Sequence, residues 1–277
     1  MSETHGIHQT NKRVMQMAEA ARNHMALTVA SEKWVPEFDN GRAWRTRIGF
    51  VLISSDHLIE EDMMRMAPEG VCVHFTRSHM PIGCTVENLA AMESGLAASA
   101  ADLMPEFEVP VICYACTSGT AVMGEEAVVR ELKRANPERQ ATTLLTGVVE
   151  GLRALSAQKI VMGTPYTDDV TSVVAQYMQK SGFELLNVQG LNLVYDKDIT
   201  RVTPAYIRQF AKAIDQPDAD AIFLSCGGFR AIDVIDQIEQ DTGKPVITSN
   251  QGMMWNCLRL AGISDQFDGY GRLLREH

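Results

Sequence analysis

A chain of 277 residues, 45% of them hydrophobic, is long enough to bury one large core or two modest ones. A formal net charge of −10, with no block of basic residues, argues against nucleic-acid and anionic-membrane partners, which require clustered Lys and Arg. The longest apolar runs have the length of strands rather than the roughly 20 residues of a membrane span, and residues 1–13 lack the apolar core of a signal peptide. We therefore expect a cytoplasmic protein.

Residues 1–46 differ in composition from the rest of the chain. Residues 11–30 have the composition of a helix, and Trp34, Pro36 and Trp44 interrupt the polar connector that follows. We predict an N-terminal helical extension here. It is either a simple extension or a helix that packs on the body of the protein or on a partner subunit, which would offer a surface for a homodimer.

From residue 47 onward, predicted strands alternate with predicted helices. Short uninterrupted apolar runs are typical of buried strands in parallel sheets, and longer segments with one apolar face are typical of helices. Strands are predicted at 47–53, 71–75, 109–115, 159–166, 184–188, 222–225 and 244–249. Helices are predicted at 58–66, 85–103, 123–135, 144–155, 167–181, 204–214, 232–240 and 251–260. The alternation predicts an α/β protein with right-handed crossovers.

The two halves of this pattern match each other. Ile48, which opens the first strand, precedes Cys116 by 68 positions, and Ile160, which opens the corresponding strand, precedes Cys226 by 66. The near-equality indicates a duplicated α/β domain. The predicted boundaries are 1–46 for the extension, 47–141 plus 252–277 for the first α/β domain, and 142–251 for the second.

Two cysteines occupy matching places in the halves. Cys116 follows an apolar strand and precedes Thr117, Ser118 and Gly119, residue types that end strands and cap helices. A thiol there faces unpaired backbone N–H groups and the positive end of a helix dipole, both of which favour the thiolate. Cys226 again follows a strand and precedes a turn. We predict two catalytic thiols; the alternative is a pair of structural thiols, since free cysteine is often an inert hydrophobe.

The topology predicts a shared cleft. Ligands of open parallel sheets bind at the carboxyl ends of the strands, so in two facing domains the segments 54–56, 116–118, 164–166 and 226–228 would meet. Thiols on opposite walls suit chemistry in which one removes a proton or adds to carbon and the other supplies a proton. Donors for substrate carboxylate oxygens would be the backbone N–H groups after each cysteine and the hydroxyls of Ser55, Thr117, Ser118 and Tyr166.

No cofactor or metal is expected from the sequence. It contains no phosphate-loop, dinucleotide-binding, zinc-protease or nucleophile-elbow motif, and Gly227-Gly228 is too short to hold a dinucleotide. Cys113 and Cys116 form a C-x-x-C pair, but strand alternation would point Cys113 to the other side of the sheet.

Five segments carry a family resemblance: RIGFVLISSDH, ICYACTSGT, VMGTPYTDDV, IFLSCGGFRAIDVI and GYGRLL, all within residues 47–277. They resemble the aspartate/glutamate racemase superfamily, in the branch of maleate cis–trans isomerases and arylmalonate decarboxylases. The closest likeness, in SSDH, HFTR and CTSGT, is to ectoine-utilisation proteins of the EutA type. The resemblance implies an α/β fold of two pseudo-symmetric Rossmann-like domains, with parallel four-stranded sheets and an active site in the interdomain cleft.

The resemblance also implies site residues by position. Cys116 and Cys226 look like the first and second catalytic cysteines, and Tyr166 and Asn192 match substrate-binding positions of maleate isomerases. The decarboxylases carry glycine where Cys116 stands, so the presence of both thiols favours isomerisation or racemisation over decarboxylation. The other residues expected to bind the substrate are Ser55, Asp56, Thr117, Ser118 and Gly227.

Two departures from the family bear on the substrate. Maleate isomerases have asparagine where this chain has Asp56, and amino-acid racemases follow their second cysteine with threonine and histidine rather than Gly227-Gly228. An ionised Asp56 would repel a second substrate carboxylate, which leaves room for a cationic or neutral arm, as in a diaminobutyrate derivative or a cyclic amidine like ectoine. Alternatively, Asp56 caps the helix that begins near Leu58, and Tyr166 is a core aromatic residue.

The leading hypothesis is a cofactor-independent isomerase of a small carboxylic acid, either a cis–trans isomerase or a racemase, in ectoine or hydroxyectoine breakdown. Cys116, as thiolate, attacks or deprotonates the substrate, and Cys226 protonates it from the other side. Two alternatives stay open. One is a decarboxylase with Cys226 as the proton donor, and the other is a non-catalytic protein that binds a metabolite in the same cleft.

Overall fold

The computed structural model describes residues 12–21 and 29–277. The chain divides into two compact units, residues 1–39 and residues 40–277. Within the described part of the chain, no helix is long and apolar enough to cross a bilayer.

Helix α1 spans residues 12–21 of the first unit. The prediction of a helix over 11–30 is correct for this segment and wrong for residues 29–30, which are irregular. Residue 11 and residues 22–28 lie outside the described residues. A packing role for this extension stays a prediction.

Two parallel four-stranded sheets form the framework of the second unit. The first sheet has the order β2-β1-β3-β4 and consists of β1 (Thr46–Ile53), β2 (Val71–Ser78), β3 (Val111–Tyr114) and β4 (Gln140–Thr143). The second has the order β6-β5-β7-β8 and consists of β5 (Lys159–Thr164), β6 (Glu184–Gly190), β7 (Ala221–Leu224) and β8 (Val246–Thr248). All of these strand pairs are parallel. The shared strand order confirms the predicted α/β fold of two similar halves.

Helices connect the successive strands. Those of the first half are α2 (Ile59–Met66), α3 (Val86–Ala90), α4 (Glu93–Ala101), α5 (Thr117–Met123), α6 (Glu125–Ala135) and α7 (Leu144–Ala154). They are followed by α8 (Asp168–Lys180), α9 (Asp196–Ile199), α10 (Pro204–Ile214), a 3₁₀ helix (Arg230–Val234), α11 (Ile235–Thr242), α12 (Ser249–Leu260) and α13 (Gly271–Glu276). The strands β3 and β7 are buried along their whole length, which explains their uninterrupted apolar sequences.

The structure departs from the predicted elements in the first half. Strand β4 is missing from the sequence prediction because its four residues, QATT, form no apolar run. The single helix predicted at 85–103 is two helices, α3 and α4. The helix predicted at 123–135 is preceded by α5, and Gly124, with a φ of 86°, separates α5 from α6.

Helix α12 carries the chain from the second sheet back to the first. It packs against α7, and at their crossing a Cβ atom on Gly147 would lie 2.7 Å from the carbonyl oxygen of Gly252. Only glycine permits so close an approach of two backbones. Because α12 also contacts β3 and β8, this crossing holds Ser249, the first residue of α12, between the two sheets. The predicted domain boundaries themselves stay a prediction.

Candidate active site

One cavity lies where the strands of both sheets end. It contains about 430 Å³ of space, counting the open space at its mouth. The predicted site residues that line it are Cys116, Cys226, Ser55, Asp56, Thr117, Ser118, Tyr166 and Gly227. The remaining lining residues are Ile53, Ile59, Met80, Cys84, Leu89, Ala115, Asp196, Thr200 and Gly228.

Cys116 is the N-cap residue of α5. Its Sγ accepts a hydrogen bond from the backbone N–H of Gly119 at 3.3 Å, and the side chain is only 8% exposed. Burial raises the pKa of the thiol, whereas the Gly119 N–H and the Ser118 hydroxyl lower it. The N–H group at the helix N-terminus thus favours the thiolate as expected, but burial is the larger effect and the net pKa is raised.

Cys226 has a strained backbone. Its φ of 110° lies in the region that L-residues rarely adopt, at a cost on the order of 1–3 kcal/mol. Burial raises the pKa of its thiol well above the ordinary value, and the hydrogen bonds from the Tyr166 hydroxyl and the Gly228 N–H only partly oppose this. Strain of this kind clusters at functional sites, because a site can require a side-chain direction that relaxed backbone does not give.

Ser249 joins the two cysteine loops. Its Oγ accepts a hydrogen bond from the backbone N–H of Cys226 at 2.8 Å and shares another, also of 2.8 Å, with Oγ1 of Thr117. Thr117 directly follows Cys116, and Ser249 is fully buried. One hydroxyl therefore links the backbone that carries one thiol to the backbone that carries the other.

A tyrosine hydroxyl lies beside each thiol. Tyr166 hydrogen bonds to Cys226, and Tyr114, the last residue of β3, hydrogen bonds to Cys116. The Tyr114 hydroxyl also lies 3.3 Å from Sδ of Met92. Burial raises the pKa of both tyrosines well above the ordinary value, so both hydroxyls keep their protons and can act as donors.

Asp56 acts partly as the helix cap that the sequence analysis kept as an alternative. Its Oδ1 accepts hydrogen bonds from the backbone N–H groups of Leu58 at 3.2 Å and Ile59 at 3.0 Å, at the start of α2. Burial raises the pKa of this carboxyl group. Arg77 donates to the carbonyl oxygen of Asp56 at 2.6 Å and pairs with Glu60, so its guanidinium does not line the cavity.

Two lining residues that the sequence analysis missed are Asp196 and Cys84. Oδ2 of Asp196 accepts a hydrogen bond of 2.5 Å from the hydroxyl of Ser55, which joins the two halves at the mouth of the cavity. Sγ of Cys84 lies 3.7 Å from Oγ of Ser118, the same distance that separates Ser118 from Sγ of Cys116. Burial raises the pKa of Cys84 to about 12, which keeps this third thiol protonated.

Asn192 does not join the other predicted site residues. Its side chain is exposed and lines a separate depression beside α8. The backbone explains this position, because the Asn192 N–H donates to the carbonyl oxygen of Tyr166 at 3.1 Å while its φ of 56° turns the chain. Asn192 therefore does not line this cavity, and its role in substrate binding stays a prediction.

A buried acid supports the loop of the second cysteine. Nδ2 of Asn250 donates to the carbonyl oxygen of Gly227 at 2.8 Å and to Oδ2 of Asp62 at 2.6 Å. Burial, the largest effect, raises the pKa of Asp62 to about 7. The chain segment that carries Cys226 is thus connected through Asn250 to a carboxyl group that titrates near neutral pH.

This raised pKa makes stability depend on pH. Because the unfolded carboxyl titrates near 3.9, the folded protein binds more protons between about pH 4 and pH 7, and its free energy of unfolding falls as the pH rises through that window. Across this window the fall in the free energy of unfolding is at most about 4 kcal/mol in the wild type, and we expect Asp62→Asn to remove it. Urea unfolding at pH 5 and pH 8 measures this. The exposed Asp218→Asn should keep the wild-type dependence, and an equal dependence in Asp62→Asn would contradict the prediction.

Comparison with known proteins places this site in a family. A sequence model of the arylmalonate decarboxylase family matches residues 111–274, more than half of the chain. The chain belongs to this family. An arylmalonate decarboxylase from Bordetella bronchiseptica is 35% identical over 141 residues, which cover 49% of this chain and 58% of that protein. A maleate isomerase from Nocardia farcinica is 28% identical over 245 residues, which cover 83% of this chain and 96% of that protein.

A solved structure within the same branch shows a covalent cysteine adduct. It is a mutant of Nocardia farcinica maleate cis–trans isomerase with a covalently bound succinylcysteine intermediate. Its TM-score to this chain is 0.77, at 25% identity, covering 84% of this chain and 99% of that chain. The predicted membership in the branch of maleate isomerases and arylmalonate decarboxylases is confirmed.

Proposed function

We propose that the chain is a cofactor-independent two-cysteine isomerase that acts on a small carboxylic acid. One observation carries the proposal: Cys116 and Cys226, at equivalent positions after β3 and β7, line the same buried cavity. The covalent succinylcysteine intermediate of the Nocardia farcinica isomerase supports a cysteine in the reaction.

The surroundings of the two thiols favour different roles for them. The pKa of Cys226 is raised well above the ordinary value, and that of Cys116 is raised less strongly. Cys116 is therefore the easier thiol to deprotonate and acts as nucleophile or base, while Cys226 keeps its proton and acts as the acid. Tyr166 assists as the hydrogen-bond partner of Cys226.

The polar groups of the cavity bind the substrate carboxylate. We assign this role to the hydroxyls of Thr117 and Ser118 and to the backbone after each cysteine, including Gly227. The Ser55 hydroxyl, which donates to Asp196 in this structure, joins them by rotating toward the carboxylate. These groups are hydrogen-bond donors on both walls, and a carboxylate or the enediolate formed from it accepts such bonds.

Two reactions fit this arrangement. In cis–trans isomerisation, the Cys116 thiolate adds to one carbon of a double bond while the Cys226 proton goes to the other. Rotation about the new single bond and the reverse elimination then return thiolate, proton and the trans alkene. In racemisation, Cys116 removes the proton next to the carboxylate, and Cys226 protonates the opposite face.

Solvent exchange tests the proposal. The protein is incubated in D₂O with maleate and with single enantiomers of small 2-amino acids, and NMR follows isomer formation and deuterium at the carbon next to the carboxylate. We expect one of two results. Either maleate gives fumarate, which need not carry deuterium because the proton added by Cys226 is returned on elimination, or a 2-amino acid racemises with deuterium at the carbon next to the carboxylate, because each thiol exchanges its proton with solvent between turnovers. Binding of an acid without isomer or deuterium would indicate a non-catalytic metabolite-binding protein instead.

Decarboxylation is the second candidate. The family match and the 35% identity to an arylmalonate decarboxylase favour it, with Cys226 as the proton donor. Release of carbon dioxide from an arylmalonate that survives Cys116→Gly would support this reaction over isomerisation. A role in ectoine or hydroxyectoine breakdown stays a prediction from the sequence resemblance.

A further inference from the structure

The charges of the cavity wall all have the same sign. Two carboxyl groups, Asp56 and Asp196, line the cavity, and no Lys, Arg or His does so among residues 12–21 and 29–277. The wall otherwise presents thiols, hydroxyls and apolar groups. A substrate with two carboxylates would therefore place its second negative charge against a wall that is already acidic, which is unfavourable at low dielectric.

Asp196 and Asp56 are not equivalent. Asp56 uses its Oδ1 to accept two backbone N–H groups, so part of its charge is already compensated. Asp196 accepts the Ser55 hydroxyl and, within the described part of the chain, forms no ion pair. The next residue, Lys197, does not line the cavity; it lines a neighbouring outer depression, where its Nζ lies 5.3 Å from the ring centroid of Tyr195.

Asp196 also lies between the cavity and an outer depression. Ser55, Met80 and Asp196 line both of these spaces. The carboxylate is half-buried there, which strengthens its interaction with a charged group compared with an exposed one.

We propose that Asp196 is the specificity-determining residue of this cavity and that it binds a positively charged group, an ammonium or a protonated amidine, on the substrate acid. This inference rests on the proposed function and deepens it. The substrate is then a zwitterionic or cationic small acid, with its carboxylate at the hydroxyls and N–H groups beside the thiols and its positive group at Asp196.

The same arrangement links recognition to reactivity. The negative charge of Asp196 raises the pKa of both Cys116 and Cys226. A positive substrate group bound at Asp196 cancels this effect and so favours the Cys116 thiolate when the substrate is in place. A dicarboxylate would have the opposite effect.

A pair of thiol reagents of opposite charge tests the proposal without requiring turnover. Aminoethyl methanethiosulfonate is cationic and sulfonatoethyl methanethiosulfonate is anionic. Each forms a mixed disulfide when a thiolate attacks its sulfenyl sulfur and methanesulfinate leaves. Peptide mass spectrometry gives the rates at Cys116, at Cys226 and at the partly buried Cys72, which serves as an internal reference outside the cavity. The ratio of the two rates cancels any change in thiolate fraction.

We expect the ratio of the cationic-reagent rate to the anionic-reagent rate to be at least tenfold higher at the cavity thiols than at Cys72. Asp196→Asn should lower this preference for the cationic reagent at the cavity thiols at least threefold. Asp198→Asn removes the same charge from the same helix but from a residue that does not line the cavity, and it should leave the preference unchanged. An unchanged ratio in Asp196→Asn, or modification of Cys72 with no access of either reagent to the cavity thiols, would overturn the proposal.

Two acids of equal chain length test the substrate class. 4-Aminobutyrate has one carboxylate and one ammonium, and succinate has two carboxylates. We expect 4-aminobutyrate to protect Cys116 from the reagents at concentrations at least tenfold lower than succinate, and Asp196→Asn to abolish the difference. Protection by succinate that equals or exceeds that by 4-aminobutyrate would contradict the inference, whereas failure of the isomerase itself would appear only in the solvent-exchange experiment.

Discussion

Replacing Cys116 with alanine should lower turnover by about three orders of magnitude or more, because the nucleophile or base is lost and no other lining group can replace it. The nearby thiol Cys84 has a pKa of about 12 and stays protonated, so it is a poor substitute. The measurement is the rate of isomer formation or deuterium incorporation for the acid identified by solvent exchange.

The matched control for this variant is Cys72→Ala. Cys72 lies on β2, is partly buried and does not line the cavity, so this variant should keep near-normal turnover. Circular dichroism and urea unfolding of both variants separate loss of chemistry from loss of folding. Turnover of Cys116→Ala within tenfold of wild type would show that Cys116 takes no part in the chemistry and has only a structural role.

Replacing Cys226 should separate activity from stability. Both Cys226→Gly and Cys226→Ala should lose about three orders of magnitude in turnover, because each removes the proton donor. Glycine adopts a φ of 110° without strain, whereas alanine does not. We therefore expect Cys226→Gly to be more stable than Cys226→Ala by about 1 kcal/mol in urea unfolding.

The other cysteine provides the control for this comparison. Cys116 has a φ of −145°, which any L-residue adopts, so glycine there relieves no strain. Its entropy cost and the preference of a helix N-cap for glycine over alanine oppose each other, so we expect Cys116→Gly and Cys116→Ala to differ by less than about 0.5 kcal/mol. An advantage of glycine over alanine at Cys226 no larger than that at Cys116 would show that Cys226 carries no backbone strain.

The sequence predicts most of the strands and helices because apolar runs and their spacing indicate them directly. The strands before Cys116 and Cys226 are continuous apolar segments, and the similar offsets from Ile48 and Ile160 reveal the duplication. Strand β4 is too short and polar to be visible in this way. Its place is set by pairing with β3, a tertiary contact that no local pattern encodes.

The candidate site is predictable only where a residue follows a strand. Ser55, Thr117 and Gly227 do so, and they line the cavity as expected. Ser249 and Asp196 come from elements whose distance in space cannot be read from their distance in sequence. A cysteine gives no signal of a positive φ, so the strain at Cys226 is not visible either.

The direction of a pKa shift is the property that the sequence predicts least well. The helix N-terminus at Cys116 is present as predicted, but the sequence does not reveal how deeply the thiol is buried, and burial decides the direction of its pKa. Asn192 illustrates a different limit, since a position matched to a family can still point away from the site when the local backbone turns.

The hydroxyl of Ser249 has a consequence for how substrate enters. It ties the two thiol-bearing segments together at the back of the cleft, whereas the Ser55–Asp196 hydrogen bond closes the front. A pivot at Ser249 would let the halves part at the front while the spacing between the sulfur atoms hardly changes. The enzyme could then admit and release molecules without dismantling the pair of groups that must act on them together.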